Sequence, residues 1–212
     1  MNINESKQYC YRIVHINNLP LILRDGLVSK NQVNYNENYV NIGNPSIIDF
    51  RASTEVKLPD YKTIGEYVSF YFTPKSIMLF NIQTGYQSPL VPKRHPSEIM
   101  VLRCEIKKLI TLPKWFFTNG QANTFITDHF NDITYINQVD WAIIINCDFS
   151  KKGDDTDKPR RYQAEFLVQN HVPLEYIDSI YVYNDEAKRT VDNILAQHKV
   201  QLLVEVQQNY YF

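Results

Sequence analysis

The stretch that decides the fold is Arg160-Arg161-Tyr162-Gln163-Ala164-Glu165-Phe166-Leu167-Val168, in which one carboxylate lies within a run typical of a buried β-strand. Strand side chains alternate between two faces, so Glu165 shares a face with Gln163 and Leu167. A carboxylate among apolar neighbours is either desolvated at a cost or faces a cleft where a partner neutralises it. The plain structural interpretation is an edge-strand glutamate paired with Arg161 or with a lysine of a neighbouring strand. This stretch alone leaves both interpretations open.

The bulk properties of the chain narrow the class of protein. Its 212 residues fit one domain over 1–212, and a net charge of -1 excludes a global basic field, so any nucleic-acid site must be local. Cys10, Cys104 and Cys147 are far apart and lie in apolar runs, which is typical of free thiols in a reducing compartment and not of a metal site. No apolar signal segment or membrane-length run is present, which predicts a cytoplasmic protein without a membrane partner.

The N-terminal part predicts a strand followed by a helix. Residues 9–16 are typical of a strand, and residues 19–24 of a short helix with Pro20 in its first turn and Gly26 as its end. His15 attracts attention, but a lone strand histidine is more often a buried core group than a functional one.

Residues 29–61 form a long polar segment rich in Asn and Tyr. Connections of this length in compact domains are often lids or binding loops, and the alternative is a disordered surface excursion. The Asn44-Pro45 turn precedes a possible helical turn over 45–51. Arg51 is the segment's one arginine, and the apolar residues before it would anchor the loop and leave the guanidinium free for a phosphate or a carboxylate.

The remaining chain alternates strand and helix patterns. Residues 65–73 are the strongest strand, with Tyr67, Ser69 and Tyr71 on one face and Val68 and Phe70 on the other. The further expected elements are a turn over 75–80, a strand over 98–106, a turn over 118–120, a helix over 121–131, an apolar element over 139–147, a charged loop over 151–161, a turn over 171–175, a strand over 177–183, a helix over 185–197 and a strand over 200–206. Together they predict an α+β domain with a central, largely antiparallel sheet.

With these residues in view, the chain resembles the DarT family of DNA ADP-ribosyltransferase toxins, which act with the macrodomain antitoxin DarG. The match runs nearly end to end. The motifs that carry it are Arg12-Ile13-Val14-His15, Asn18-Leu19, Ile22-Leu23 to Gly26, Arg51, Tyr67-Val68, Phe70-Tyr71-Phe72-Thr73-Pro74, Ser76 to Leu79, Asp140-Trp141 and Gln163-Ala164-Glu165.

The resemblance implies an ADP-ribosyltransferase fold that holds NAD in a cleft of a split sheet, with no metal. It implies that Glu165 is the catalytic glutamate and that Arg51 acts on NAD and on the reaction. Residues implied to bind NAD are Arg12, Ile13, Val14, Leu21, Val28, Arg51 and Tyr71. Residues expected to contact single-stranded DNA are Lys75, Met78, Gln121, Arg160 and Arg161; for the lysine and the two arginines the alternative is a purely solubilising role.

One position departs from the family pattern. Where thymidine-modifying members carry a catalytic-site histidine, this chain has Gln121. An amide does not titrate, so Gln121 cannot share in proton transfer, and we expect it to read the base through hydrogen bonds. The alternative is that Gln121 starts the helix expected over 121–131 and faces solvent.

Elementary chemistry supports these roles. Cleaving the nicotinamide glycosidic bond builds positive charge at the ribose anomeric carbon, and a fixed carboxylate such as Glu165 stabilises that charge mainly in the transition state. Arg51 would neutralise the diphosphate. A second role left open is that it helps to remove the proton of the nucleobase, although so basic a group is a poor general base on reference values.

The sequence therefore predicts a toxin that transfers ADP-ribose from NAD to a base in single-stranded DNA, with thymidine as the expected base and a DarG-like macrodomain protein as antitoxin. One alternative is transfer to guanine in DNA, to RNA or to protein, since fold does not fix substrate. Another is an inactive nucleic-acid-binding module, against which the presence of both Arg51 and Glu165 argues.

Overall fold

The computed structural model of the chain describes residues 7–32, 36–151 and 153–212, and an eight-stranded sheet lies at the centre of these residues. Its strands are β1 (Tyr9–His15), β3 (Tyr67–Tyr71), β4 (Ile99–Glu105), β5 (Trp115–Thr118), β6 (His129–Phe130), β7 (Glu165–Gln169), β9 (Ile177–Val182) and β10 (Leu203–Val206), and a separate two-stranded sheet contains β2 (Leu27–Val28) and β8 (His171–Val172). Across the large sheet the order is β10-β9-β4-β1-β3-β7-β5-β6. Neighbouring strands are antiparallel except β9 and β10, so the expected α+β fold with a largely antiparallel sheet is confirmed.

The helices are short apart from the last one. They are α1 (Leu19–Asp25), α2 (Pro45–Ser53), α3 (Ile77–Thr84), α4 (Ile106–Leu109), α5 (Trp141–Ile145), α6 (Lys158–Tyr162) and α7 (Asp185–His198). The expected strand and helix at the N-terminus are β1 and α1, and α1 ends where Gly26 takes a φ of 69°, a conformation that glycine adopts readily.

The sheet is split between β1 and β3. These strands pair only at Tyr11 and Tyr71, although every residue of both is described, whereas β1 pairs with β4 along its whole length. Beyond Tyr11 the facing backbone groups of β1 and β3 have no ladder partner in each other. A side chain substitutes for the ladder, since Arg12 Nη1 donates to the Ser69 carbonyl at 2.8 Å. The split therefore leaves a gap in the sheet that polar side chains line.

The alternation expected for β3 separates two apolar layers. Val68 and Phe70 join the larger core, into which α1 and α7 pack through Ile22 and Val191. On the other face, Tyr67 belongs to a smaller apolar cluster with Phe116 and Leu167.

Several predicted elements differ in the structure. Residues 171–175 were expected to form a turn, but they contain β8 and the start of a 3₁₀ helix, Leu174–Tyr176. Residues 75–80 were expected to form a turn, but Ser76 accepts a hydrogen bond from Leu79 N at 3.2 Å and caps α3. The expected helix over 121–131 is absent. Residues 121–127 form turns instead, because Asn119 closes the segment onto Asp128 through two hydrogen bonds of 2.9 Å before β6 begins.

Another difference lies in the stretch from Arg160 to Val168. Residues 158–162 are helical, with Pro159 in the first turn, and the strand begins only at Glu165. β7 is also an interior strand between β3 and β5, so the interpretation of Glu165 as an edge-strand residue is wrong.

The strands predicted over 98–106 and 177–183 and the helix over 185–197 are confirmed as β4, β9 and α7, the last capped by Asn184. Cys10 and Cys104 are buried opposite each other on β1 and β4, Cys147 is half-buried, and all three thiols are free. Within the described ranges, no helix has the length and apolar character to cross a membrane, and no group of three His, Cys, Asp or Glu side chains is placed to hold a metal ion.

Candidate active site

Glu165 and Arg51 form a two-pronged ion pair at the split of the sheet. Arg51 Nη1 and Nη2 each lie 2.8 Å from one carboxylate oxygen of Glu165. Glu165 is 2% exposed, so the pair is shielded from solvent and from screening by salt. The partner of Glu165 is thus Arg51, 114 residues earlier in the chain, and not Arg161 or a lysine.

The helix that carries Arg51 forms for local reasons. Asn44 accepts a hydrogen bond from Ser46 N at 3.0 Å, and Pro45 occupies the first turn. The helical turn expected over 45–51 is therefore confirmed as α2, which extends to Ser53. Arg51 lies in its last turn, where its charge also complements the helix dipole.

Two further groups fix the ion pair. Ser69, on β3, accepts a hydrogen bond from Arg51 Nη2 at 2.6 Å. Ala122 donates its backbone N–H to Glu165 Oε1 at 3.1 Å. The carboxylate therefore accepts three hydrogen bonds and is held in one orientation.

The pair lies in the wall of a cleft of about 590 Å³. The wall is built from β1 and β3 on either side of the split, from α2, and from the loop before α2. Tyr71, directly opposite Glu165 in the β3–β7 register, contributes its ring to the same wall.

Burial and the charges of the pair shift the pKa values of Arg51 and of the neighbouring Tyr71. Burial by itself lowers the pKa of the Arg51 guanidinium, but the charge and hydrogen bonds of Glu165 outweigh burial, and the pKa of Arg51 is raised. Burial raises the pKa of the Tyr71 hydroxyl, and the negative charge of Glu165 raises it further. Arg51 is therefore a fixed cation and Tyr71 a neutral hydroxyl at physiological pH.

Many of the residues expected to bind NAD or DNA line this cleft. They are Arg12, Ile13, Val28, Arg51, Tyr71, Met78, Gln121 and Glu165.

The other expected residues lie elsewhere. Val14 points into the larger core, because it faces away from Ile13 on β1. Leu21 is half-buried on α1 and does not line the cleft. Lys75 lies outside the cleft wall, with its ammonium group 4.9 Å from the centre of the Phe212 ring.

Arg160 and Arg161 are engaged in ion pairs outside the cleft wall. Arg160 forms a two-pronged pair with Asp157 at 2.7 and 2.8 Å, and Arg161 contacts Asp140 and Asp155. Their guanidinium groups hold the segment before β7 together. A DNA-binding role for either remains a prediction.

Sequence reasoning missed two contacts of the Arg51–Glu165 pair, one from Ser69 to Arg51 and one from Ala122 to Glu165. Ser69 carried a signal, since alternation along β3 places it on the same face as Tyr71. Ala122 carried none, because its contribution is a backbone N–H whose position depends on how residues 119–128 fold back.

A split antiparallel sheet with a buried glutamate in its cleft is the arrangement expected from the resemblance to ADP-ribosyltransferases. A family model described as "ssDNA thymidine ADP-ribosyltransferase, DarT" matches residues 11–212. The chain belongs to the DarT family.

Individual relatives agree with this assignment. The DNA ADP-ribosyl transferase of Escherichia coli O127:H6 is 34% identical over 212 residues, which are 100% of this chain and 96% of that protein. A DNA ADP-ribosyl transferase-DNA ADP-ribosyl glycohydrolase fusion protein of Thermosipho africanus is 24% identical over 188 residues, 86% of this chain and 45% of the fusion.

Solved structures give the same result. Thermus sp. 2.9 DarT in complex with ADP-ribosylated ssDNA has a TM-score of 0.86 at 26% identity and covers 97% of both chains. The same protein in complex with NAD+ has a TM-score of 0.79 at 26% identity, over 97% of this chain and 98% of that chain.

Proposed function

We propose that this protein transfers ADP-ribose from NAD to thymidine in single-stranded DNA, in a sequence-selective way, and releases nicotinamide. The observation that carries the proposal is the buried Arg51–Glu165 pair in the cleft wall of a chain that belongs to the DarT family.

The cleft fits NAD in size and in polarity. A volume of about 590 Å³ suits a ligand of this size. Two buried polar atoms in its wall, Arg12 Nε and Ser29 Oγ, have no hydrogen-bond partner among the described residues. Buried polar groups are rarely left unpaired, so both atoms are available to the diphosphate, hydroxyl or carboxamide groups of NAD.

NAD supplies the ADP-ribosyl group and the nicotinamide leaving group. Glu165 stabilises the positive charge that builds at the ribose C1′ as its bond to the nicotinamide nitrogen breaks. The electron pair of that bond leaves with nicotinamide, a bond forms from C1′ to the base nitrogen, and the proton of the base is released. Because the Arg51–Glu165 contact is already formed, little reorganisation is needed to orient the carboxylate.

Arg51 acts by charge and orientation. Its raised pKa excludes it as a base near neutral pH, so we assign it to holding Glu165 and to the anionic groups of NAD. Arg12, Ile13, Val28 and Tyr71 complete the NAD side of the cleft. Of the remaining expected NAD-binding residues, Val14 would contribute through its backbone, and Leu21 would support α1.

Single-stranded DNA would approach the side of the cleft that Gln121 and Met78 line. The Gln121 side chain has no hydrogen-bond partner among the described residues, which leaves its amide free to pair with a base edge. Lys75 is exposed enough to contact a phosphate, and Arg160 and Arg161 would do so only together with their aspartate partners.

In the cell the protein would act as the toxin of a toxin–antitoxin pair, in the cytoplasm, where free thiols such as Cys10 stay reduced. A partner that removes ADP-ribose from DNA would counteract it, and a DarG-like macrodomain has that chemistry. The glycohydrolase part of the Thermosipho africanus fusion protein supports this pairing.

Incubation with labelled NAD and four single-stranded oligonucleotides that differ only in the target base tests the proposal. We expect label on the thymidine oligonucleotide, release of nicotinamide, and no label with Glu165→Gln. Matched RNA and a protein mixture are the comparison acceptors.

Each other outcome selects a different function. Label on guanine, RNA or protein would show that the protein transfers ADP-ribose from NAD to a different acceptor. NAD turnover that is absent with every acceptor, together with tight oligonucleotide binding, would identify a nucleic-acid-binding module and overturn the proposal.

A further inference from the structure

His129, on β6, lies behind the Glu165 carboxylate. Its side chain is buried and does not line the cleft. It is 8% exposed, and the ring of Phe116 stacks on it with centroids 5.1 Å apart. Its Nε2 lies 3.0 Å from the Ala122 carbonyl oxygen, and its Nδ1 lies 3.1 Å from the Lys57 backbone nitrogen. Both ring nitrogens therefore have a backbone partner.

These partners fix the protonation state of the ring. The Lys57 N–H can only donate, so Nδ1 accepts, and the Ala122 carbonyl can only accept, so Nε2 carries the proton. His129 is thus a neutral imidazole in one tautomer. Burial lowers its pKa and the Lys57 charge lowers it further, and these effects outweigh the Ala122 carbonyl, Glu165 and Asp128, which raise it.

The Ala122 carbonyl that His129 holds belongs to the same residue as the N–H that contacts Glu165. The N–H of Ala122 donates to Glu165 Oε1 at 3.1 Å. Thr118 Oγ1 ties the same segment to β7, since it donates to the Gly120 carbonyl at 2.6 Å and accepts from Glu165 N at 3.0 Å. Residues 120–122 are otherwise a turn without helix or strand pairing, so their position depends on such contacts.

We propose that His129 is a positioning residue for the reaction: its Nε2–H holds Ala122 so that the Ala122 N–H fixes one oxygen of Glu165. Arg51 binds both oxygens from the side of the cleft, and Ala122 binds Oε1 from the β5–β6 side. Without the Ala122 contact, Glu165 retains its charge but loses one of the hydrogen bonds that orient it toward C1′. This inference rests on the proposed function of Glu165.

Two substitutions separate the functions of the two ring nitrogens. His129→Gln places an amide N–H near the position of Nε2, whereas His129→Asn places an oxygen near Nδ1 and does not reach Ala122. His198→Asn, at an exposed histidine of α7, is the matched control. We expect His129→Asn to lower kcat for transfer to DNA by about ten- to a hundredfold, with KM for NAD changed less than about threefold, and His129→Gln to recover most of that loss.

Equal kcat for wild type and His129→Asn, alongside an inactive Glu165→Gln, would overturn this inference and leave the proposed function intact. Equal loss in the Asn and Gln variants would also overturn it, because the Nε2–H would then not be the group that matters.

If the Asn variant does not fold, nitrogen NMR of the wild-type imidazoles decides. We expect the Nε2–H tautomer at His129, still neutral at a pH where an ordinary imidazole, with a pKa of about 6.5, is protonated. An Nδ1–H tautomer, or protonation like that of an ordinary imidazole, would overturn the inference that the His129 Nε2–H holds Ala122. This measurement needs neither NAD nor DNA, so it remains informative even if no transfer is found.

Discussion

Arg51 and Glu165 are far apart in the chain but share one buried contact, and each fixes the charge state and orientation of the other. Arg51 holds both oxygens of Glu165 at 2.8 Å, with 3% of the Glu165 side chain exposed. A buried carboxylate needs a partner for its charge, and a guanidinium that meets both oxygens also fixes its direction. The contact that makes Glu165 tolerable in an interior strand is therefore also the contact that fixes the orientation of its carboxylate, on which its proposed catalytic role depends.

Glu165→Gln should abolish most transfer without unfolding the protein. Gln keeps one acceptor for Arg51 but removes the charge that stabilises the transition state, so we expect kcat to fall by about a hundredfold or more and NAD affinity to change little. Calorimetry with NAD and a transfer assay measure the two effects. Glu205→Gln, exposed on β10, is the charge-matched control. Wild-type turnover in the Glu165 variant would reduce Glu165 to a structural residue.

Arg51→Ala should destabilise the fold as well as slow the reaction. It leaves the Glu165 carboxylate buried without a counter-charge, a change that typically costs about 3–5 kcal/mol of unfolding free energy. Arg51→Lys should recover little, since an ammonium group does not reproduce the planar fork. NAD affinity should also fall, and Arg189→Ala, exposed on α7, is the control.

Urea denaturation of the double variant Arg51→Ala with Glu165→Gln distinguishes the cause of the instability. The double variant should be more stable than the sum of the two single losses predicts, because no uncompensated charge remains. Strict additivity would show that the two residues do not act as a pair.

Gln121→Ala should alter the choice of base more than the turnover of NAD. The amide lines the cleft and does not titrate, so its contribution is hydrogen bonding to a base edge. Transfer to four oligonucleotides that differ in the target base, measured beside NAD hydrolysis without DNA, separates the two effects. Gln121→His should stay active. Identical base profiles for wild type and Gln121→Ala would exclude the reading role.

At the scale of elements, α2 is the part of the active site with the weakest packing. None of its residues is buried, and it is held by the Asn44 cap, by the Arg51–Glu165 pair and by its approach to Gly65. A Cβ atom at Gly65 would lie 2.7 Å from Ala52 Cα, a distance that backbone and side-chain atoms do not tolerate. The helix therefore reaches Glu165 only because residue 65 has no side chain.

Gly65→Ala should displace α2 and move Arg51 away from Glu165. We expect a loss of transfer of about tenfold or more and a raised KM for NAD, since small misplacements of catalytic groups are costly. Faster hydrogen exchange of α2 amides, with unchanged exchange in β1 and β4, would locate the effect. Full activity in Gly65→Ala would show that α2 has room to adjust.

At the scale of the whole molecule, two buried histidines link folding to pH. Burial lowers the pKa of both His15 and His129 from 6.5; at His15 the charge of Arg94 adds to burial and outweighs Glu98. As the pH falls through about 6.5, the unfolded chain takes up protons that the folded chain does not, so the free energy of unfolding decreases. Below the pKa values of the two histidines in the folded state, both states bind these protons, so the free energy of unfolding stops falling.

Urea midpoints measured between pH 7 and pH 5 should therefore fall with pH. The double variant His15→Gln with His129→Gln should show a shallower fall, because the groups that titrate differently in the two states are gone. Parallel slopes for wild type and the double variant would contradict this assignment.

The sequence by itself determined the strands β1, β3, β4 and β9 and the longest helix, since their apolar patterns, the Asn184 cap and the Gly26 end are local signals, whereas it missed the short strands β2, β5, β6 and β8. It also singled out Arg51 and Glu165 by residue type and by resemblance to a family. Tertiary structure decided that these two residues meet, because a contact across 114 residues depends on the order of the strands and on the β1–β3 split. It also decided that residues 119–128 close on themselves instead of forming a helix, since the Asn119–Asp128 bonds outweigh the weak helix propensity of the segment.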